Sequence, residues 1–158
     1  MPHPICATKP RCGLSFALRQ RGEVDFSWKT GRIGHCIAVQ EALPILDRQD
    51  VAFHNWLEEQ MAALSSHSGL ALDDLCFGEA ARASVLKRST KASNGRDWPR
   101  GAHRAFARLR ASADKGDLAF GWPQGVALPG FFQGTAGIGY QLLRNDFDLT
   151  LPDIFTFC

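Results

Sequence analysis

"PGFFQGTAGIGYQLLRND", residues 129–146, places Gly134, Gly137 and Gly139 within six positions, directly ahead of a segment with helical periodicity. A glycine-rich helix entrance can cradle a phosphate with its backbone N–H groups. The spacing here is GxxGxG. It is neither the dinucleotide pattern GxGxxG nor a Walker loop with its Lys and Ser/Thr, and no valine-rich strand leads into it. Phosphate binding is therefore a poor account of these glycines.

Two other stretches repeat the arrangement. "WKTGRIGHCIAVQEAL" (28–43) and "LCFGEAARASVLKRS" (75–89) align with "FFQGTAGIGYQLLRN" (131–145) so that Gly31, Gly78 and Gly134 coincide. Gly34, Ala81 and Gly137 then coincide as well, with offsets of 47 and 56 residues between copies. One amphipathic segment separates each pair of copies. Small residues in the first turn of a helix allow close packing against neighbours, so the three loops read as entrances of inner helices, each followed by an outer one. The expected fold is all-α, part of an α/α toroid or solenoid of inner and outer helix pairs.

The segments between and after the loops support this. In 35–47, Ile37, Val39, Ala42, Leu43 and Leu46 keep close to a 3.6-residue period, with Pro44 expected to bend or shorten the helix. A second helix is expected over 50–66, with Asp50 as N-cap and Phe53, Trp56, Leu57, Met61 and Leu64 on one face. Further helices are expected over 79–90, 98–113 and 137–144, with Pro99 tolerated in the first turn of the fourth. Only "DIFTFC" (153–158) alternates as a strand would.

Composition narrows the functional classes. At 158 residues, 45% apolar and 22% charged, the chain is about one soluble globular domain. It has no apolar run of membrane-spanning length, and its N-terminus has no continuous apolar signal segment. Five cysteines, at 6, 12, 36, 76 and 158, are odd in number and form no CxxC, so reduced thiols in a cytoplasm are expected. Residues 82–115 hold ten basic side chains against Asp97 and Asp114, and Arg96, Arg100, Arg104 and Arg108 recur every four residues. On a helix these form one stripe, offering a surface to nucleic acid or an acidic peptide or simply a solvated face. No aromatic stands on that stripe for base stacking, so nucleic acid is not expected as a partner, and without a run of spanning length neither is a membrane.

The repeat entrances resemble the lanthionine synthetase C-like family, most nearly the C-terminal cyclase domain of class II lanthipeptide synthetases. "PGFFQGTAGIGYQLLR" is similar to that family's last segment, "SWKTGRIGHCIAVQEALPILD" stands where the family has S-W-C-H-G-x-x-G, and "LCFGEAARASVL" stands at L-C-H-G or L-C-C-G. The resemblance covers 26–158 as the C-terminal portion of such an α-toroid domain and leaves 1–25 unassigned. It implies a zinc-dependent cyclase that adds a precursor peptide's Cys thiol to dehydroalanine or dehydrobutyrine, forming thioether rings in lanthipeptide biosynthesis. Zinc would lower the pKa of the thiol and position it, using three protein ligands and one open site.

At the implied ligand positions the sequence departs from the family. Lys29 stands at the first cysteine and Thr30 at the neighbouring His or Tyr of proton handling. Cys76 is kept as a metal-ligand candidate, and Phe77 replaces its partner. His35 and Cys36 lie a turn inside the helix, past the loop. The catalytic residues are therefore unknown, zinc is doubtful and an impaired cyclase is expected. The resemblance implies a ring of seven helix pairs, which three inner entrances and two outer helices are not expected to close: the chain is then a fragment of a longer reading frame, a decayed gene product with an unrelated N-terminus, or a chain whose ring is completed by another polypeptide, the last adding that polypeptide to the precursor peptide as a partner. The alternative is a non-catalytic toroid module that binds a peptide or partner protein.

Overall fold

The computed structural model describes residues 25–44, 51–89, 97–121, 128–147 and 151–155. Five helices occupy them: α1 (Arg32–Ala42), α2 (Val51–Ser66), α3 (Glu79–Arg88), α4 (Trp98–Lys115) and α5 (Thr135–Asp146). No strand occurs among the described residues, so the fold is all-α. Asp50 lies outside them. The alternation at 153–158 does not produce a strand where it is described, because Ile154 and Phe155 form a turn. There the Asp153 carboxylate accepts the Phe155 N–H, and Ile154 is buried against Leu75, Leu109 and Ile138.

Helix boundaries follow from local chemistry. α1 begins at Arg32, three residues before the expected segment 35–47, and ends at Ala42, where Leu43 donates its N–H to Val39 and Pro44 has no N–H to continue the ladder. α4 carries Pro99 in its first turn and stops at Gly116, whose φ of 68° is the left-handed C-terminal conformation that glycine accepts most readily.

The three glycine-led entrances share one backbone geometry. The first N–H of α1, α3 and α5 (Arg32, Glu79 and Thr135) donates to the carbonyl seven residues earlier, on Asp25, Leu72 and Leu128, at 2.7–2.9 Å. The preceding residues Gly31, Gly78 and Gly134 are the N-caps, with φ of −101°, −121° and −146°, extended backbone that any residue adopts. Glycine is required there for space. A Cβ at each would overlap that same carbonyl oxygen of Asp25, Leu72 or Leu128. Gly34 and Gly137 are constrained similarly by the Trp28 and Phe131 carbonyls. The nearest atoms at these glycines belong to their own loop, and Gly137 also meets a neighbour, Leu75, as close packing requires. The helix-to-helix approach belongs to Gly101 in α4, where a Cβ would strike Ser65 of α2.

Packing forms two series, with α3 between α1 and α5 and in contact with both α2 and α4, which also touch each other. α3 is consequently enclosed, every residue from Glu79 to Leu86 being buried. Its surface is small rather than greasy, Ala80, Ala81, Ala83 and Ser84 letting neighbours approach. Ile33, Val39, Met61, Leu64, Val85 and Leu86 fill the core among α1, α2 and α3. Leu75, Leu109 and Ile138 fill a second core toward α5.

Enclosure also buries the ion pair of Glu79 and Arg82, side chains 0% and 1% exposed, joined at 2.9 Å. Such a pair is tolerable only when its remaining groups are satisfied. The Glu79 carboxylate also accepts the Leu70 N–H, while Arg82 donates to the carbonyls of Leu64 and His67. Arg108 approaches Glu79 at 3.5 Å from α4.

The arginine stripe is spent largely on this protein's own backbone. Arg104 donates at 2.6 Å to the Ser65 carbonyl, left over at the C-terminal end of α2 where cations are favoured, and Arg108 to the Ser68 carbonyl in the loop that follows. Arg100 pairs with Asp97. Arg96 lies outside the described residues.

Candidate functional site

The three entrances meet. The Trp28 N–H donates to the Cys76 carbonyl at 2.7 Å, and the Leu75 and Cys76 N–H groups share the Phe132 carbonyl at 3.0 and 3.1 Å. Helices α1, α3 and α5 therefore start at one end of the molecule. Trp28 stacks on Phe132, with ring centroids 5.4 Å apart and an interplanar angle of 16°, and also contacts Phe155. A cleft of about 390 Å³ opens beside Cys76, lined by Leu128, Gly130, Phe131, Phe132 and Gln133. A larger hollow of about 610 Å³ between α2 and the start of α4 holds Glu58, Glu59 and Asp97 but no thiol or imidazole. Its size does not outweigh the missing chemistry.

Cys76 is half-buried and free. Burial, with the nearby Asp74 carboxylate, pushes its thiol above the ordinary range, and Lys29 acts in the opposite direction without reversing the shift. The sulfur is thus held as a neutral thiol at neutral pH, a weak nucleophile. Asp74 was not distinguished by sequence reasoning, yet it builds the loop. Its carboxylate accepts the N–H groups of Cys76 and Phe77 at 2.8 and 2.7 Å. The available signal was its place two residues before the cysteine, the spacing at which an Asp side chain closes a turn on the backbone. Burial raises the Asp74 pKa despite these bonds.

The other positions have different surroundings. Lys29 is exposed, and its charge acts on Cys76. Thr30, the proposed proton-handling position, is bound to Asp25 at 3.0 Å and Ser27 at 3.2 Å, closing the first loop. Partial burial would raise the Asp25 pKa, but the hydrogen bonds from Ser27 and Thr30 together hold it below the usual carboxylate value. Phe77 is 42% exposed and does not line the Cys76 cleft. Cys36 is sealed in the core, where burial pushes its thiol up to about 12, so it is no substitute ligand. Burial lowers the pKa of half-buried His35, opposed by Asp25.

A zinc site needs several N, S or carboxylate donors converging on one point. Among the described residues no group of three His, Cys, Asp or Glu side chains does so. At the position implied by the resemblance there is one sulfur, an ammonium acting on it and an aromatic ring beside it in sequence. This set does not fit the metal.

In a comparison with known protein families the chain matches the one described as lanthionine synthetase C-like protein, over residues 13–156. No curated protein and no solved structure matches the chain. The matched span takes in all three glycine-led entrances and the loops that meet at Cys76. The chain belongs to the lanthionine synthetase C-like family.

Proposed function

We propose that this chain is a lanthionine synthetase C-like module in which the ancestral cyclase reaction, zinc-assisted addition of a peptide Cys thiol to dehydroalanine or dehydrobutyrine, is impaired. In this reading residues 26–158 form the C-terminal portion of an α-toroid, a precursor peptide or a partner chain is the binding partner, and a cytoplasm supplies the reducing setting. No helix among the described residues is long and apolar enough to cross a membrane.

The observation that supports the reading is the backbone bond from the Trp28 N–H to the Cys76 carbonyl, which joins the first and second entrances beside position 29. In this reading the side chains at the former ligand positions are Lys29 and a protonated Cys76. A cation at a metal position repels the metal. A peptide thiol that no Lewis acid helps to deprotonate adds to an alkene slowly. Cys76 remains the one candidate ligand.

Elemental analysis after dialysis, alongside incubation with a dehydrated precursor peptide, tests this. The expected results are zinc well below one equivalent and no thioether formation above the uncatalysed rate. Near-stoichiometric zinc that is lost in Cys76→Ala would show that residues outside the described set complete the site, and would overturn the reading. The non-catalytic alternative differs by retaining peptide binding with chelator present.

A further inference from the structure

The offsets that align the three entrances also align Glu41, Arg88 and Arg144, one in the last turn of each of α1, α3 and α5. Asp153 stands between the two arginines, one carboxylate oxygen lying 3.6 Å from Arg88 and 3.5 Å from Arg144, and its side chain is 11% exposed. Arg88 also pairs with Glu41, so charges of alternating sign link the ends of three helices.

The central carboxylate does not come from a helix. It belongs to residues 151–155, which are neither helix nor strand. The Pro152 carbonyl accepts the Tyr140 hydroxyl at 2.8 Å, Ile154 is buried against Leu75 and Ile138, and the Phe155 ring reaches Trp28 with centroids 5.7 Å apart. Asp153 also accepts the Phe155 N–H at 3.0 Å, which turns the segment so that carboxylate, branched side chain and ring each meet a different partner. Side chains of the elements beneath hold this segment, as they hold an extended peptide in a groove. Its ion pairs are longer than the roughly 2.7–2.9 Å of a charge-assisted hydrogen bond, so Asp153 is held by charge rather than by fixed geometry.

We propose that Arg88, Arg144, Tyr140 and Trp28 mark out a groove for a peptide in which an acidic side chain is followed by a branched apolar one and an aromatic one, and that the chain's own Asp153, Ile154 and Phe155 occupy it as an internal ligand. This rests on the reading of the chain as a peptide-binding module, names the class of peptide, and uses neither Cys76 nor zinc. A peptide arriving from outside must displace the segment, so its affinity is reduced by the fraction of chains in which the segment has left the groove.

The test uses the full chain with EDTA present and fluorescein-labelled Gly-Leu-Pro-Asp-Ile-Phe-Gly and its Asn counterpart, read by fluorescence anisotropy. Asp153→Asn keeps an oxygen for the Phe155 N–H and removes the charge that holds the segment. This variant should bind the Asp peptide about five- to tenfold more tightly than the wild-type chain does, and should show no such gain for the Asn peptide. Adding Arg144→Met should erase the gain. Phe155→Ala, which loosens the segment at its other end, should give a smaller gain and repeats the test without touching the ion pairs. In each variant Cys36, sealed in the core, should stay unreactive toward iodoacetamide, as a folded chain requires. Equal binding of the Asp peptide by wild type and both loosened variants, no binding by any of them, a gain shared by the Asn peptide, or a gain that survives Arg144→Met would overturn the proposal and leave the segment a structural clasp. Because EDTA takes metal out of the peptide measurement, those results count against this inference alone, whereas stoichiometric zinc in the dialysed protein counts against the functional reading beneath it.

Discussion

Gly78 and Cys76 stand two residues apart in one loop and are held by different kinds of constraint. At Gly78 the constraint is steric and lies within the backbone, since a side chain there would displace the Leu72 carbonyl that accepts the first N–H of α3. At Cys76 the loop constrains only the main chain. The Asp74 carboxylate and the Phe132 and Trp28 backbone groups hold the peptide units on either side, and the thiol itself makes no bond that the fold needs. A fold can therefore keep its entrances while the chemistry at their tips drifts. In the proposed reading, Lys29, Thr30 and Phe77 are such drift, in a scaffold that keeps Gly31, Gly78 and Gly134 at its three entrances.

The comparison breaks most visibly where a side chain does carry the fold. Glu79 and Arg82 lie in the first turn of the helix that Gly78 opens, fully enclosed, and removing one would leave the other charged and buried. Glu79→Ala, which also orphans the Leu70 N–H, is expected to lower the unfolding free energy by about 3–5 kcal/mol in urea titration. Arg82→Met should cost a similar amount, and the double variant less than the sum of the two. A loss under about 1 kcal/mol for Glu79→Ala would mean that α3 is not enclosed as described.

The glycines sharpen it. Gly78→Ala is expected to cost about 3 kcal/mol, because the added methyl meets backbone that cannot give way. Gly139 lies in α5 only five residues beyond Gly134, yet a Cβ there would meet nothing within 4 Å. Gly139→Ala should stabilise the protein by about 0.5–1 kcal/mol through helix propensity alone. Opposite signs at two glycines of one motif, read from urea midpoints, would confirm that space rather than conformation sets the requirement. Equal destabilisation would contradict it.

Smallest are the electrostatic effects on the thiol. Asp74→Asn keeps an oxygen for the Cys76 and Phe77 N–H groups and removes a charge that disfavours thiolate. The Cys76 pKa should fall, and alkylation by iodoacetamide at a fixed pH near 8 should quicken about two- to fivefold. Lys29→Met removes the opposing charge and should slow the reaction by a comparable factor. Both changes with one sign would show that the rates report loop opening rather than charge.

Much of the fold was legible because its signals are local. The glycine register located the starts of α1, α3 and α5, and apolar periodicity located α2 and α4. Gly101 was not legible, since a glycine inside a helical pattern does not indicate which neighbour needs the space, here Ser65. The arginine stripe was visible as a spacing but not as a function, because the targets of Arg104 and Arg108 are backbone carbonyls that leave no mark in the sequence. At the site, Cys76 was legible as a candidate through the family resemblance. Asp74, which shapes its loop, and the aromatic wall of Phe131 and Phe132 were not, since each depends on groups brought together only by folding.

The central proposal is that the backbone still presents positions 29 and 77 toward Cys76 while Lys29 and Phe77 do not suit a metal there. Lys29→Cys combined with Phe77→His tests it most directly, by placing two sulfurs and an imidazole around one point with a fourth position open. Thermal unfolding of this double variant and of the parent would be followed as zinc is added. The account predicts a melting temperature that climbs with zinc in the double variant, reaching about 2.7 kcal/mol of added stability at a hundredfold excess over Kd, and a flat response in the parent. Identical, flat responses from two folded proteins would contradict the convergence of the loops on a common site, and with it the assignment of Lys29 and Phe77 to ligand positions.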